Sequence, residues 1–212
     1  PLAWAAADPM PTLRRSVAGL RLAVMPDVER KGVDEDVLAA YDASIETLAK
    51  QGAQIVRCTL PHRFSDYASA TGRIIGAEGY RFVGHLVDDE SLPVDPHVRP
   101  RIQLGRGVSA RDYLLTLAER EEHRRAVEAA LADVDALLTP TALTAAIPIE
   151  KADQAGTAAH FTRPVNYLGL CGLAVPNGFT AAGLPTSLQI VAHAGAEATA
   201  LRIGQAYEDA AD

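Results

Sequence analysis

An apolar run, an amphipathic stretch and a second apolar run follow one another between Gly19 and Leu60, and this succession limits the fold more than any other feature of the chain. Gly19 to Pro26 is short, apolar and bounded by glycine and proline, the pattern of a buried strand. From Asp34 to Lys50 the apolar residues Val37, Leu38, Tyr41, Ile45 and Leu48 recur at helical spacing, so one face of a helix is apolar. Lys50 falls in the last turn, where a cation suits the carbonyl end, and Gly52 is a natural stop. Ala53 to Leu60 then reads as a second strand, ended by Pro61. A strand, a helix and a strand at this spacing predict a βαβ unit with its strands parallel.

The rest of the chain extends this α/β pattern. Phe64 to Val87 is helical in period, with Gly72, Gly76 and Gly79 expected to weaken it. Asp88 to Pro100 is acidic and proline-bearing, the best candidate for an exposed loop. Ser109, with Asp112 three residues on, opens a helix whose apolar face is expected from Tyr113, Leu114, Leu117, Val127, Ala130 and Leu131. The charge run from Arg120 to Arg124 reads as its solvated face. Asp135 to Thr141 predicts a strand leading into a loop. Leu168 to Phe179 and Gly183 to Val191 predict strand or turn segments, and Glu197 to Tyr207 a closing helix. Leu2 to Ala7 reads as the end of a buried helix broken at Asp8-Pro9, so the chain is expected to be a piece of something longer. The fold class predicted is α/β, a mixed and largely parallel sheet flanked by helices.

Composition excludes several functions. A net charge of -7 argues against a nucleic-acid surface, and no apolar run is long enough to cross a membrane. Cys58 and Cys171 make neither a disulfide framework nor a zinc motif. They read as small buried hydrophobes in a reducing, cytoplasmic setting, with no signal peptide in view. The histidines show no i,i+4 pair, so no metal site is expected, and no glycine-rich nucleotide fingerprint implies a cofactor. There is no Gly-x-Ser-x-Gly elbow. Lys31, Lys50 and Lys151 all lie in polar surroundings that keep an amine charged, so none suits a Ser–Lys arrangement. The chain shows no recognisable nucleophile of its own.

Five segments in one order carry a resemblance. Gly19-Leu20-Arg21-Leu22-Ala23, Asp135-Ala136-Leu137-Leu138-Thr139-Pro140-Thr141 and Phe161-Thr162 with Asn166-Tyr167-Leu168-Gly169 are the first three. Leu173 to Phe179 and Gly183-Leu184-Pro185-Thr186-Ser187-Leu188-Gln189-Ile190 complete the set, ahead of the helix from Glu197 to near Glu208. Together they resemble the C-terminal half of amidase signature enzymes. The resemblance implies hydrolysis of amide carbon–nitrogen bonds by a serine, a second serine in a cis peptide and a lysine base. In that family all three lie in, or N-terminal to, a Gly/Ser-rich segment. No such segment occurs here, so no catalytic residue is assigned.

On this resemblance residues 1–212 form the C-terminal portion of a single amidase domain, giving scaffold and part of a pocket for a small amide. Its partner would be the N-terminal half of the same enzyme, and a homodimer is compatible with it. Substrate-binding candidates are Tyr67, Arg73, Phe161, Thr162 and Asn166. Relatives that take glutamine tend to carry an acidic residue shortly before the Phe-Thr pair, whereas this chain has Ala158, Ala159 and His160. That departure favours a stand-alone amidase. Two other readings stay open, a non-catalytic amidase-derived binding module and one component of a heteromeric amidotransferase.

Overall fold

A computed structural model describes residues 8–152 and 158–211. The helix end expected over Leu2 to Ala7 lies outside the described residues. The βαβ unit is present: β1 (Arg21–Val24) and β2 (Gln54–Arg57) pair in parallel, joined through α1 (Glu35–Lys50). Strand β3 (Ala136–Pro140) lies parallel to β1 on its other side. The sequence then returns through β4 (Cys171–Phe179) and β5 (Pro185–Ala192), and the five-stranded order is β2-β1-β3-β5-β4. Strand β5 runs antiparallel to both β3 and β4, so the remaining strands all point one way. The sheet is mixed and largely parallel, as the sequence predicts.

Alternation along β3 and β5 sorts the core into two layers. Leu138 pairs with Ile190 and, on β4, Leu173 does the same, building the layer covered by α1 and the last helix, α2 (Glu197–Ala211). Helix α2 comes close because Gly204 sits over Leu173, where a β-carbon would lie 2.7 Å from a methyl group. From α1 the buried Tyr41 hydroxyl donates to the Leu138 carbonyl and accepts from the Met25 amide, both at 3.0 Å, which staples the end of β1 to the middle of β3. The opposite layer holds Leu137, Thr139, Gln189 and Val191. It is covered by α3 (Ala68–Val87), α4 (Ala110–Ala130) and α5 (Thr162–Leu168), the last two packed directly on the sheet side through residues such as Val127 and Leu168. Strand β4 forms one edge of the sheet and β2 the other among the described residues.

Four local expectations change. Helix α3 runs unbroken through Gly72, Gly76 and Gly79 because two of these glycines are contact points. A short helix (Val98–Gln103) and the turn after it (Leu104–Gly107) cross α3 there, and a β-carbon on Gly105 would fall 1.9 Å from the Gly76 carbonyl oxygen. That helix also shortens the expected loop, since Pro100 sits in its first turn, where a missing N–H costs nothing. Arg99 holds the loop down by donating to the carbonyls of Val87, Asp89 and Leu92. Residues 162–168 form a helix that their proline obscured, capped by Gly169 in the left-handed region at φ 68°. On α4, Leu114 is 64% exposed and not part of the apolar face. The Arg124 and Arg125 side chains do form the expected surface pairs with Glu121 and Glu128, but Arg120 and His123 turn inward.

The glycines give a paired test. Gly72 has open space around its absent β-carbon, so Gly72→Ala should stabilise the protein by about 0.5–1 kcal/mol through helix propensity. Gly105→Ala should cost about 1–3 kcal/mol by overpacking. Urea denaturation of both variants checks the signs.

Candidate functional site

The carboxyl ends of β1, β2 and β3 open onto the layer under α4 and α5, the end of a parallel sheet where α/β proteins place their ligands. Each strand hands the chain to a segment that supplies side chains there. After β1 the turn Asp27–Arg30 carries Glu29. After β2 a loop with His62 leads to the turn Phe64–Tyr67. After β3 the chain continues to His160, Phe161 and α5.

Two of the five candidate residues meet in this layer. Tyr67 is buried with its ring centroid 5.3 Å from Tyr167 and 5.4 Å from His123. Phe161 is buried with its ring 4.8 Å from His160 and 5.7 Å from Phe64. Both line a small apolar cavity with Phe64, Leu137 and Val191. Thr162 is half-buried at the first turn of α5, and its carbonyl accepts a long 3.4 Å bond from the Asn166 side chain. Asn166 itself is exposed and borders a separate groove with Thr71, Ile74, Glu78, Arg120 and Tyr167. Arg73 is further off, donating to the Thr116 hydroxyl at 2.7 Å beside Val108, Asp112 and Leu115. Four of the five residues therefore border three distinct hollows, and Thr162 lines none of the three.

Polar groups in the layer are few, and most are paired. Gln189, buried in β5, donates from its amide to the Thr139 hydroxyl at 3.0 Å and to the Phe161 carbonyl at 3.1 Å. Glu29 accepts from the Phe64 amide at 3.2 Å, and its second oxygen lies 3.2 Å from His160 Nε2. His123 Nδ1 lies 3.1 Å from the Tyr167 hydroxyl, while Arg120 donates to the Tyr167 carbonyl at the C-terminal end of α5. Thr141 holds a buried hydroxyl with no hydrogen-bond partner. Of these, Gln189, Thr139, Thr141, Phe161 and Tyr167 stand in segments that carry the resemblance, and Arg120 and His123 in the charge run. Glu29 lies in a mixed-charge turn after β1, and no sequence signal marks it as buried.

Titration follows from this burial. The Tyr67 phenol is pushed up to about 12, chiefly by desolvation, with Asp66, Tyr167 and Glu29 adding their negative charge. Burial likewise raises Tyr167, with Glu119 adding to it and Arg120 and Arg73 opposing. The thiols of Cys58 and Cys171 are raised by burial too, which removes thiolate character near neutral pH. Lys31, Lys50 and Lys151 are all exposed. Among the described residues no group of three or more His, Cys, Asp or Glu side chains could hold a metal ion, and no helix is long and apolar enough to cross a membrane.

The architecture defines an α/β protein with a mixed sheet whose pocket-side layer is largely apolar. The Amidase family model matches residues 6–201, and the chain belongs to that family. A glutamyl-tRNA(Gln) amidotransferase subunit of Geobacter metallireducens is 33% identical over 93% of this chain and 46% of its own length. A crystal structure of an amidase superposes with a TM-score of 0.80 at 25% identity, covering 91% of this chain and 46% of the other. The crystal structure of a glutamyl-tRNA(Gln) amidotransferase subunit from Thermotoga maritima gives 0.66 at 25% identity, over 93% and 44%. The chain thus spans about half the length of the relatives it matches.

Alkaline titration tests the burial of Tyr67. A phenol whose folded value exceeds its unfolded one keeps its proton in the folded state after the unfolded chain has lost it. Its contribution is complete below about pH 10 and is lost as pH rises toward about 12. The urea midpoint of the parent should therefore fall more steeply over that window than that of Tyr67→Phe.

Proposed function

We propose that this chain is the C-terminal portion of an amidase domain that hydrolyses a linear amide, and that it provides scaffold and one wall of the substrate pocket. The observation that carries this is the pairing of family membership with half-length coverage. The chain's own chemistry agrees. The lysines are exposed and the thiols are held protonated, so neither suits the attacking group or its base, which in this reading come from elsewhere. An oxyanion hole must likewise be built beside that nucleophile. The other half of the domain is the natural partner, and the open edge strand β4, with Phe179 and Leu184 exposed at its hairpin, offers it a surface. The same reading takes the enzyme to be cytoplasmic and allows a homodimer. On its own the chain is inactive.

In this proposal Tyr67 and Phe161 form the apolar floor of the pocket, Thr162 and Asn166 its rim, and Arg73 a more distant support. The absence of a carboxylate at positions 158–160 directs the site to simple amides rather than glutamine. A second reading, one component of a heteromeric amidotransferase, draws support from the names of the relatives. The two separate in one assay on the complete enzyme. A simple primary amide should be hydrolysed with kcat/KM about a hundredfold above that for glutamine, the scale at which an apolar pocket rejects an added polar group. Phe161→Ala should raise KM for the preferred amide. Preference for glutamine would establish the amidotransferase reading instead.

A further inference from the structure

Glu29 is a carboxylate only 6% exposed, packed against Phe64 and His160. Burying that charge is costly unless its oxygens are used, and a packing role alone would be filled better by an apolar side chain. Both oxygens are used. Oε1 accepts from the Phe64 amide, at the start of the turn that delivers Tyr67. Oε2 faces His160 Nε2, whose side chain is 23% exposed and whose ring lies edge-on to Phe161. One side chain after β1 thus ties the segment after β2 to the segment after β3, 131 residues away in sequence. From the sheet side Gln189 grips the next residue through the Phe161 carbonyl. Residues 160 and 161 are therefore held by two buried polar side chains from independent strands or turns, immediately before Thr162 and Asn166.

We infer that Glu29 is a positioning residue, which through His160 and Phe64 sets the placement of Tyr67, Phe161 and Thr162 in the substrate pocket. The inference rests on the pocket reading above. Sequence period and family pattern do not lead to it, because Glu29 lies outside the apolar runs and outside the segments that carry the resemblance.

The test has two arms. In the chain itself, amide hydrogen exchange should quicken about tenfold or more at Phe64 and over residues 158–166 in Glu29→Ala, with α1 and α2 unchanged. Glu29→Gln, which keeps an acceptor for the Phe64 amide and a partner for the imidazole, should recover most of the protection. In the complete enzyme, Glu29→Ala should raise KM for the amide about tenfold with kcat within about twofold, the scale of one lost hydrogen bond to a charged group. A merely structural residue would lower the active fraction and leave KM alone. Unchanged exchange over 158–166, or quickened exchange with an unchanged KM, would overturn the proposal. If Glu29→Ala does not fold, His160→Ala, which leaves the Phe64 bond in place, is read in the same two assays. Absence of amide hydrolysis in the parent enzyme would sink the pocket reading, and the exchange arm would still decide whether Glu29 holds the segment.

Discussion

Strand β3 is buried along its whole length, and its neighbour β5 is buried from Leu188 onward. A pair of strands in that position must be covered on both faces, and the remaining structure answers this requirement. Helices α1 and α2 close one face over Leu138, Leu188 and Ile190, while α4 and α5 close the other over Leu137 and Val191. Burial on both faces also explains why polar atoms in the core come in matched sets. The Tyr41 hydroxyl serves Met25 and Leu138, and the Gln189 amide serves Thr139 and Phe161.

These matched sets link the scaffold to the pocket. Gln189 is a core residue by its burial, yet its second bond reaches the carbonyl of Phe161 and fixes where α5 begins. Arg120 fixes where α5 ends, by donating to the Tyr167 carbonyl. A helix of seven residues has little stability of its own, so its placement depends on these side chains and on Glu29. The residues proposed to face substrate are thus held by the sheet and by α4 rather than by local helix propensity.

How much of this the sequence reveals depends on the scale of the signal. The βαβ unit is legible because Val37, Tyr41 and Leu48 repeat at helical period between two short apolar runs, and periodicity reports burial directly. The N-cap at Ser109 is legible because its acceptor role is local: the hydroxyl takes the Asp112 amide at 3.0 Å. Helix α5 is hidden because Pro164 reads as a breaker, although in a first turn it is tolerated. The glycines of α3 read as weakness because their use, the approach of Gly105, lies outside the local window. Site residues are the hardest. Tyr67 and Phe161 do come together, but Arg73 and Asn166 point into separate hollows, and Glu29 has no local signature at all. Long-range polar pairing leaves no period in a sequence.

The central claim is that this chain shapes a pocket while the reacting groups come from the other half of the domain. It is tested most directly by assaying amide hydrolysis with the 212-residue chain alone and again after joining it to the polypeptide that completes the domain. No turnover is expected from the chain alone, and turnover is expected from the joined enzyme. Hydrolysis by the isolated chain at a rate comparable to the joined enzyme would contradict the claim, and would mean that a nucleophile resides in these residues after all.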